Sequence, residues 1–181
     1  MDISGKWTLD WLFRKNDNFD DWLPGTSGHD VIKGLGGNDE LEGGKGWDAL
    51  YGGKGRDTFS FRAGDSGTEN HASYGAADEI RDFQTGTDNI FFKIVGAHAG
   101  TRDNYFEDSF RGFNGEQSSY NVAMNMAEQK FVGGKVEYAF YTDGHDGFLF
   151  ADTNHDGHVD TGIILDGLNS KSDFSWLDIH G

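Results

Sequence analysis

Gly25-Thr-Ser-Gly-His-Asp-Val-Ile-Lys33, Gly34-Leu-Gly-Gly-Asn-Asp-Glu-Leu-Glu42, Gly43-Gly-Lys-Gly-Trp-Asp-Ala-Leu-Tyr51 and Gly52-Gly-Lys-Gly-Arg-Asp-Thr-Phe-Ser60 follow one another without a gap. Position one of each nonapeptide is Gly (25, 34, 43, 52) and position four is Gly (28, 37, 46, 55). Position six is Asp (30, 39, 48, 57), and position eight is apolar (Ile32, Leu41, Leu50, Phe59). A fixed period with an apolar residue once per repeat is the signature of a stacked, quasi-one-dimensional architecture. A Gly/Asp-rich flexible linker would have no reason to space its apolar residues nine apart.

Glycine at positions one and four lets the chain close a six-residue, carbonyl-lined turn, and the remaining x-U-x triplet makes a short strand with one inward side chain. Carboxylates and carbonyls facing one another are the donors of a hard cation, and calcium takes roughly six to eight such oxygens. A single turn cannot supply that number, but two stacked turns can. With two nonapeptides per coil, turn n lies on turn n+2. The loop of Asp30 therefore pairs with that of Asp48, and the loop of Asp39 with that of Asp57. The expected metal set is Asp30, Asp39, Asp48 and Asp57 with the turn glycines Gly28, Gly37, Gly46 and Gly55, holding at least two Ca2+ ions. Half-sites at the ends depend on flanking sequence.

These nonapeptides resemble the repeats of the RTX (repeats-in-toxin, hemolysin-type) family of exported bacterial proteins. The resemblance implies a calcium-bound parallel β-roll and export from a Gram-negative bacterium by type I secretion. Thr26 and Leu35 depart from the family's glycine at position two, which is expected to loosen the N-terminal end of the roll. The stretch Asp78-Glu-Ile-Arg-Asp-Phe83 and Thr87-Asp-Asn-Ile-Phe-Phe92 is similar to the segment that closes the roll in serralysin-type proteases and mannuronan epimerase R-modules. By that similarity Asp78 and Asp82 are further ligands and Asp88 a weaker one. Solvated strand-end carboxylates are the alternative for each.

Composition fits an exported calcium protein. Lys and Arg number 15 against 31 Asp and Glu, a net charge of -16 over 181 residues. Such self-repulsion is relieved by bound cations, so the metal-free and metal-loaded chains should differ in compactness. The same charge argues against nucleic acid and anionic membrane as partners. Cysteine is absent, which excludes disulfides and thiolate metal sites. Met1–Asp10 contains no apolar signal region, and no membrane span is expected.

The expected organisation is an all-β chain with one short helix. Residues 1–24 form an aromatic N-terminal cap or linker, 25–65 the repeat roll, and 66–181 a C-terminal β region of antiparallel strands that completes and caps it. Trp7, Trp11, Phe13, Phe19 and Trp22 suit a plug over the roll's open end better than a sugar-stacking platform. A helix is predicted over 118–132, capped by Ser118 or Ser119 and stopped at Gly133-Gly134. Strands are predicted near 136–142, 148–151 and 162–165.

Asp152-Thr-Asn-His-Asp-Gly-His-Val-Asp160 begins like an EF-hand loop, but Ile163 stands where the bidentate Glu belongs. A turn-type calcium site on Asp152, Asn154, Asp156 and Asp160 and a plain hairpin turn both remain open readings. His145, His155 and His158 share one acidic region, but H-E-x-x-H is missing and i,i+3 histidines in a turn do not define a zinc centre. No nucleophile elbow, P-loop or cysteine nucleophile is present, so no enzyme is expected. The leading functional expectation is a monomeric, secreted, non-catalytic module that folds on calcium outside the cell. The second is a polysaccharide-binding module presenting Lys33, Lys45, Lys54 and Arg56 with Trp47 and Tyr51.

Overall fold

Successive short strands alternate between two sheets, because each nonapeptide contributes one strand and one turn. The computed structural model describes residues 18–66, 74–94, 97–111 and 115–180. Seven strands build the first half: β1 (Trp22–Thr26), β2 (Val31–Lys33), β3 (Glu40–Gly44), β4 (Ala49–Tyr51), β5 (Thr58–Phe61), β6 (Glu79–Ile80) and β7 (Asn89–Phe92). The second half adds β8 (Tyr105–Ser109), α1 (Glu116–Phe131), β9 (Tyr138–Thr142), β10 (Gly147–Ala151), β11 (Thr161–Leu165) and β12 (Ile179–His180). One sheet runs β1-β3-β5-β7-β12, parallel throughout. The other runs β2-β4-β6-β11-β10-β9-β8, parallel through β11 and antiparallel across β11-β10-β9. This is a parallel β-roll continued by an antiparallel strand region.

Register explains the nine-residue period. Leu23 pairs with Leu41, Leu41 with Phe59, Phe59 with Ile90 and Ile90 with Ile179, which makes one column of apolar side chains. Ile32, Leu50, Ile80 and Leu165 form the facing column. All nine residues are buried in one core. A one-residue slip would send a whole column to solvent, so the apolar position eight specifies register as well as burial.

Strands β9 to β11 are buried on both faces, as their continuous burial shows. Alternation sends Tyr138, Phe140, Leu149, Ile163 and Leu165 into the roll core. It sends Ala139, Tyr141, Phe148, Phe150 and Ile164 into a second core under α1. The helix turns Tyr120, Ala123, Ala127 and Phe131 towards that sheet. Its two alanines allow close approach, and an alanine is excluded at Gly162, where a Cβ would lie 2.0 Å from the Tyr120 hydroxyl oxygen.

Several features differ from the sequence expectations. The first strand begins at Trp22, so residues 22–24 belong to the roll's sheet. Leu23 is buried there, while Phe19 and Trp22 are exposed. Trp7, Trp11 and Phe13 lie outside the described residues. The helix starts at Glu116 behind Gly115, whose φ of 106° suits glycine, so neither Ser118 nor Ser119 is its cap. Gly133 and Gly134 do end it, with the Gly134 N–H donating to the Phe131 carbonyl at 2.9 Å. Leu35 keeps the left-handed backbone of position two (φ 71°), a conformation that strains a residue with a Cβ. The N-terminal ladder nevertheless persists, with Lys45 N–H on the Thr26 carbonyl and Lys54 N–H on the Leu35 carbonyl, both at 3.1 Å.

The core column generates a stability prediction. Phe59→Ala removes a fully buried ring between Leu41 and Ile90 and should cost about 3–5 kcal/mol. Val132→Ala, at a side chain 76% exposed, should stay within about 0.5 kcal/mol. Denaturant unfolding of the calcium-loaded protein measures both.

Candidate metal centre

The turns stack so closely that glycine is required where backbones meet. At Gly55 (φ 128°) a Cβ would sit 1.7 Å from the Gly37 carbonyl oxygen, one coil earlier. At Gly43 it would sit 2.5 Å from Asp48 Oδ2, so the space of the missing side chain belongs to the carboxylate of the same repeat. Position one thus makes room for position six.

That room holds two columns of buried aspartates. In the first, the Asp30 N–H donates to Asp48 Oδ1 at 2.7 Å and the Asp48 N–H to Asp78 Oδ1 at 2.9 Å. In the second, the Asp21 N–H donates to Asp39 Oδ1 at 2.9 Å, the Asp39 N–H to Asp57 Oδ1 at 2.9 Å, and the Asp57 N–H to Asp88 Oδ1 at 3.0 Å. The aspartate carbonyls accept from the next coil too: Asp30 from the Ala49 N–H, Asp48 from Glu79, Asp39 from Thr58 and Asp57 from Asn89. Each aspartate is therefore braced to its successor through both backbone groups. The first column ends on a neutral oxygen, where the Asp78 N–H donates to Ser66 Oγ and that hydroxyl donates to the Gly162 carbonyl, both at 2.7 Å.

The second oxygens of these carboxylates carry the electrostatic problem. Asp30 Oδ1 and the Oδ2 atoms of Asp48, Asp57 and Asp78 are buried and have no hydrogen-bond partner among the described residues. Burial pushes the Asp48 carboxyl up to about 7 and the Asp57 carboxyl up to about 6, with neighbouring aspartate charges adding to the effect. Asp78 is raised well above the usual carboxylate range, first by burial and then by the charge of Asp48. Asp65, Asp82 and Asp88 are raised as well, chiefly by burial. Like charges stacked without counter-charge are costly to keep ionised. Buried carboxylate oxygens without partners, beside backbone carbonyls, form an all-oxygen donor set that fits a hard divalent cation.

The candidate residues separate on this geometry. Asp30, Asp39, Asp48 and Asp57 lie in the columns in the n, n+2 pairing, with Gly28, Gly37, Gly46 and Gly55 in the turns between. Asp78 extends the first column. Asp82 lies outside both columns, its two oxygens accepting the Gly52 and Gly53 N–H groups at 2.9 and 3.0 Å. Asp88 takes the column position instead, its Oδ2 accepting the Gln84 N–H. In the β10–β11 loop the oxygens bind the loop itself. Asp152 accepts the Asp156 and Gly157 N–H groups, Asn154 Oδ1 accepts the Asp156 N–H, and Asp156 Oδ1 accepts the His158 N–H. Asp160 holds the Thr153 and Asn154 N–H groups, so the hydrogen bonding of this loop is that of a self-satisfied turn.

Asp21 was not among the expected residues, yet its signal is in the sequence. Asp21-Trp-Leu23 carries the Asp-x-apolar pattern in frame with the repeats and lacks only their glycines. Trp47 and Tyr51, expected on a sugar-binding stripe, are half-buried and engaged locally. The Trp47 backbone meets His29 Nδ1, and Lys33 Nζ lies 4.8 Å from the Tyr51 ring centroid. Among the described residues no helix is long and apolar enough to cross a membrane.

The sign of the pH dependence follows from the raised carboxyls. Without metal, a folded-state pKa near 6–7 against an unfolded value near 4 gives stability that is full below about pH 4 and lost as pH rises through 6–7. Glu40, held down by its bond to Lys93, acts in the opposite sense only at more acid pH. In chelator the chain should therefore hold more β-structure at pH 5.5 than at pH 7.5, and the calcium-loaded protein should show no such difference. Far-UV circular dichroism at the two pH values, with and without chelator, measures this.

Residues 24–59 match the RTX calcium-binding nonapeptide repeat in four copies. Among solved structures the chain is similar to the AlgE6R3 subunit of the Azotobacter vinelandii mannuronan C5-epimerase, at 24% identity and a TM-score of 0.45, over 87% of this chain and 78% of that one. No curated protein matches the chain. The in-frame repeats, the roll they build and the paired aspartate columns thus accord with four RTX calcium-binding nonapeptide repeats over residues 24–59.

Proposed function

We propose that the chain is a non-catalytic, secreted module whose folding is completed by calcium outside the cell, where it stabilises itself or an attached effector. The observation that carries this reading is the set of buried, partnerless carboxylate oxygens on Asp30, Asp48, Asp57 and Asp78. Burial of ionised carboxylates without counter-charge opposes folding, whereas the same groups around a divalent ion support it. Calcium would supply two positive charges and accept the oxygens of adjacent turns.

Asp30 and Asp48 would hold one ion and Asp39 and Asp57 another, with carbonyls of the glycine turns completing each set. Asp78 and Asp88 would continue the two columns into the segment after the repeats. Ligands that bind only the folded state add about 4 kcal/mol each at a thousandfold excess over Kd. Two ions would thus contribute on the order of the whole stability of a domain this size. Low calcium inside a cell would leave the repeats unfolded and exportable, and high calcium outside would close the roll. In this reading residues 66–181 complete the roll, since four nonapeptides bury too little apolar surface to fold alone.

The test is far-UV circular dichroism of the full chain in chelator and during calcium titration. The expected result is a largely disordered metal-free spectrum that gains β-structure cooperatively with calcium. A full β signal in chelator, unchanged by calcium, would contradict the proposal.

A further inference from the structure

Three separate segments bring two imidazoles and one carboxylate together, none of them a member of the aspartate columns. His98 lies in the coil after β7, Glu137 immediately precedes β9, and His155 sits in the β10–β11 loop. The candidate donor atoms of the three lie within 4.8 Å of one another. Glu137 Oε1 is 3.1 Å from His98 Nδ1 and 3.9 Å from His155 Nδ1. The two imidazole rings stack, with centroids 5.3 Å apart and planes at 20°.

Each donor is held in place by its own support. The Glu137 N–H donates to the Asn104 carbonyl, and the Glu137 carbonyl accepts the Asp152 N–H. Asn104 Nδ2 donates to Glu137 Oε2 at 3.0 Å, which orients the carboxylate so that Oε1 faces the histidines. The Tyr138 hydroxyl donates to the His98 carbonyl. His155 adopts a left-handed backbone (φ 61°), a strained conformation for a residue with a side chain. The bonds of Asp152 and Asp160 to the surrounding N–H groups hold the loop in that shape.

We propose that His98, Glu137 and His155 form a site for a divalent transition-metal ion, with zinc as the fitting ion. Two imidazoles and one carboxylate suit zinc and not calcium, which takes oxygen donors. Tetrahedral zinc with bonds of about 2.0–2.1 Å places its ligands about 3.3 Å apart. The distances to Glu137 Oε1 bracket that value, and donors that lie up to 4.8 Å apart would draw together on an ion. Glu137 is largely buried, whereas the His98 side chain is 65% exposed and that of His155 35%. Solvent can therefore occupy the remaining coordination positions. The Asn104 amide on Glu137 gives the outer support that metal-bound groups need for orientation. The ion would tie the 97–104 coil, the start of β9 and the β10–β11 loop to one another. His158 takes no part; its Nδ1 meets Glu128 at 3.1 Å, so the sequence neighbours His155 and His158 diverge.

Zinc titration of the full chain by calorimetry, with calcium kept in excess so that the aspartate columns remain loaded, tests the site. The expected result is one saturable zinc per chain, weakened about tenfold or more by His98→Ala and by His155→Ala and unchanged by His158→Ala. A readout needing no variant is carbethoxylation of the histidines followed by peptide mass mapping. Zinc should slow modification of His98 and His155 and leave that of His145 unchanged. No saturable zinc in excess calcium, wild-type affinity in the folded His98 and His155 variants, or equal modification with and without zinc would overturn the proposal.

Discussion

Asp39, Asp48, Asp57, Asp78 and Asp88 each accept, on one carboxylate oxygen, the backbone N–H of the aspartate one coil earlier, and the rest of the roll is arranged around that bond. Position-one glycine clears the space the carboxylate occupies, and position-four glycine lets the neighbouring turn come close enough for the bond to form. The short strand that follows then has its register set, so the apolar side chain two residues after each aspartate falls into the core column. Asp48 shows the linkage in one residue. Its N–H and carbonyl bind the coil of Asp78 and Glu79, its Oδ1 receives Asp30, and its Oδ2 faces the gap left by Gly43.

The same arrangement concentrates charge. A hydrophobic column such as Leu23, Leu41, Phe59, Ile90 and Ile179 stabilises the stack from inside, while the aspartate column beside it opposes the stack until its charge is balanced. The two columns advance together, one residue of each per coil, so adding a coil adds both the favourable burial and the unfavourable charge. A cation-dependent fold is the physical consequence of that coupling. The end of the first column on Ser66 and Gly162 fits the same logic, since a neutral hydroxyl terminates the ladder without another buried charge.

The roll was legible in the sequence because its constraint repeats. Asp-x-apolar recurs at Asp30, Asp39, Asp48 and Asp57 and again at Asp78-Glu-Ile80 and Asp88-Asn-Ile90, and it predicts both columns and strands. Asp21-Trp-Leu23 carries the pattern without glycines, which is why the first strand was assigned to a cap. Asp82 and Asp88 both follow the repeats, but only Asp88-Asn-Ile90 carries the pattern and reaches the column, while Asp82, followed by Phe83-Gln84, binds Gly52 and Gly53. The cluster of His98, Glu137 and His155 had no sequence signal, because three loops of unrelated spacing create it. The strands β8 and β12 were equally hidden, being short segments that take their conformation from β9 and β7.

Amide hydrogen exchange at Asp30, Asp39, Asp48 and Asp57 tests the central bond most directly, since each of these N–H groups donates to a carboxylate one coil away. Saturating calcium should raise protection at all four amides together, to the level of the core strands, and chelation should remove it. Equal and high protection at the four amides in chelator would contradict a roll whose aspartate columns require a bound cation.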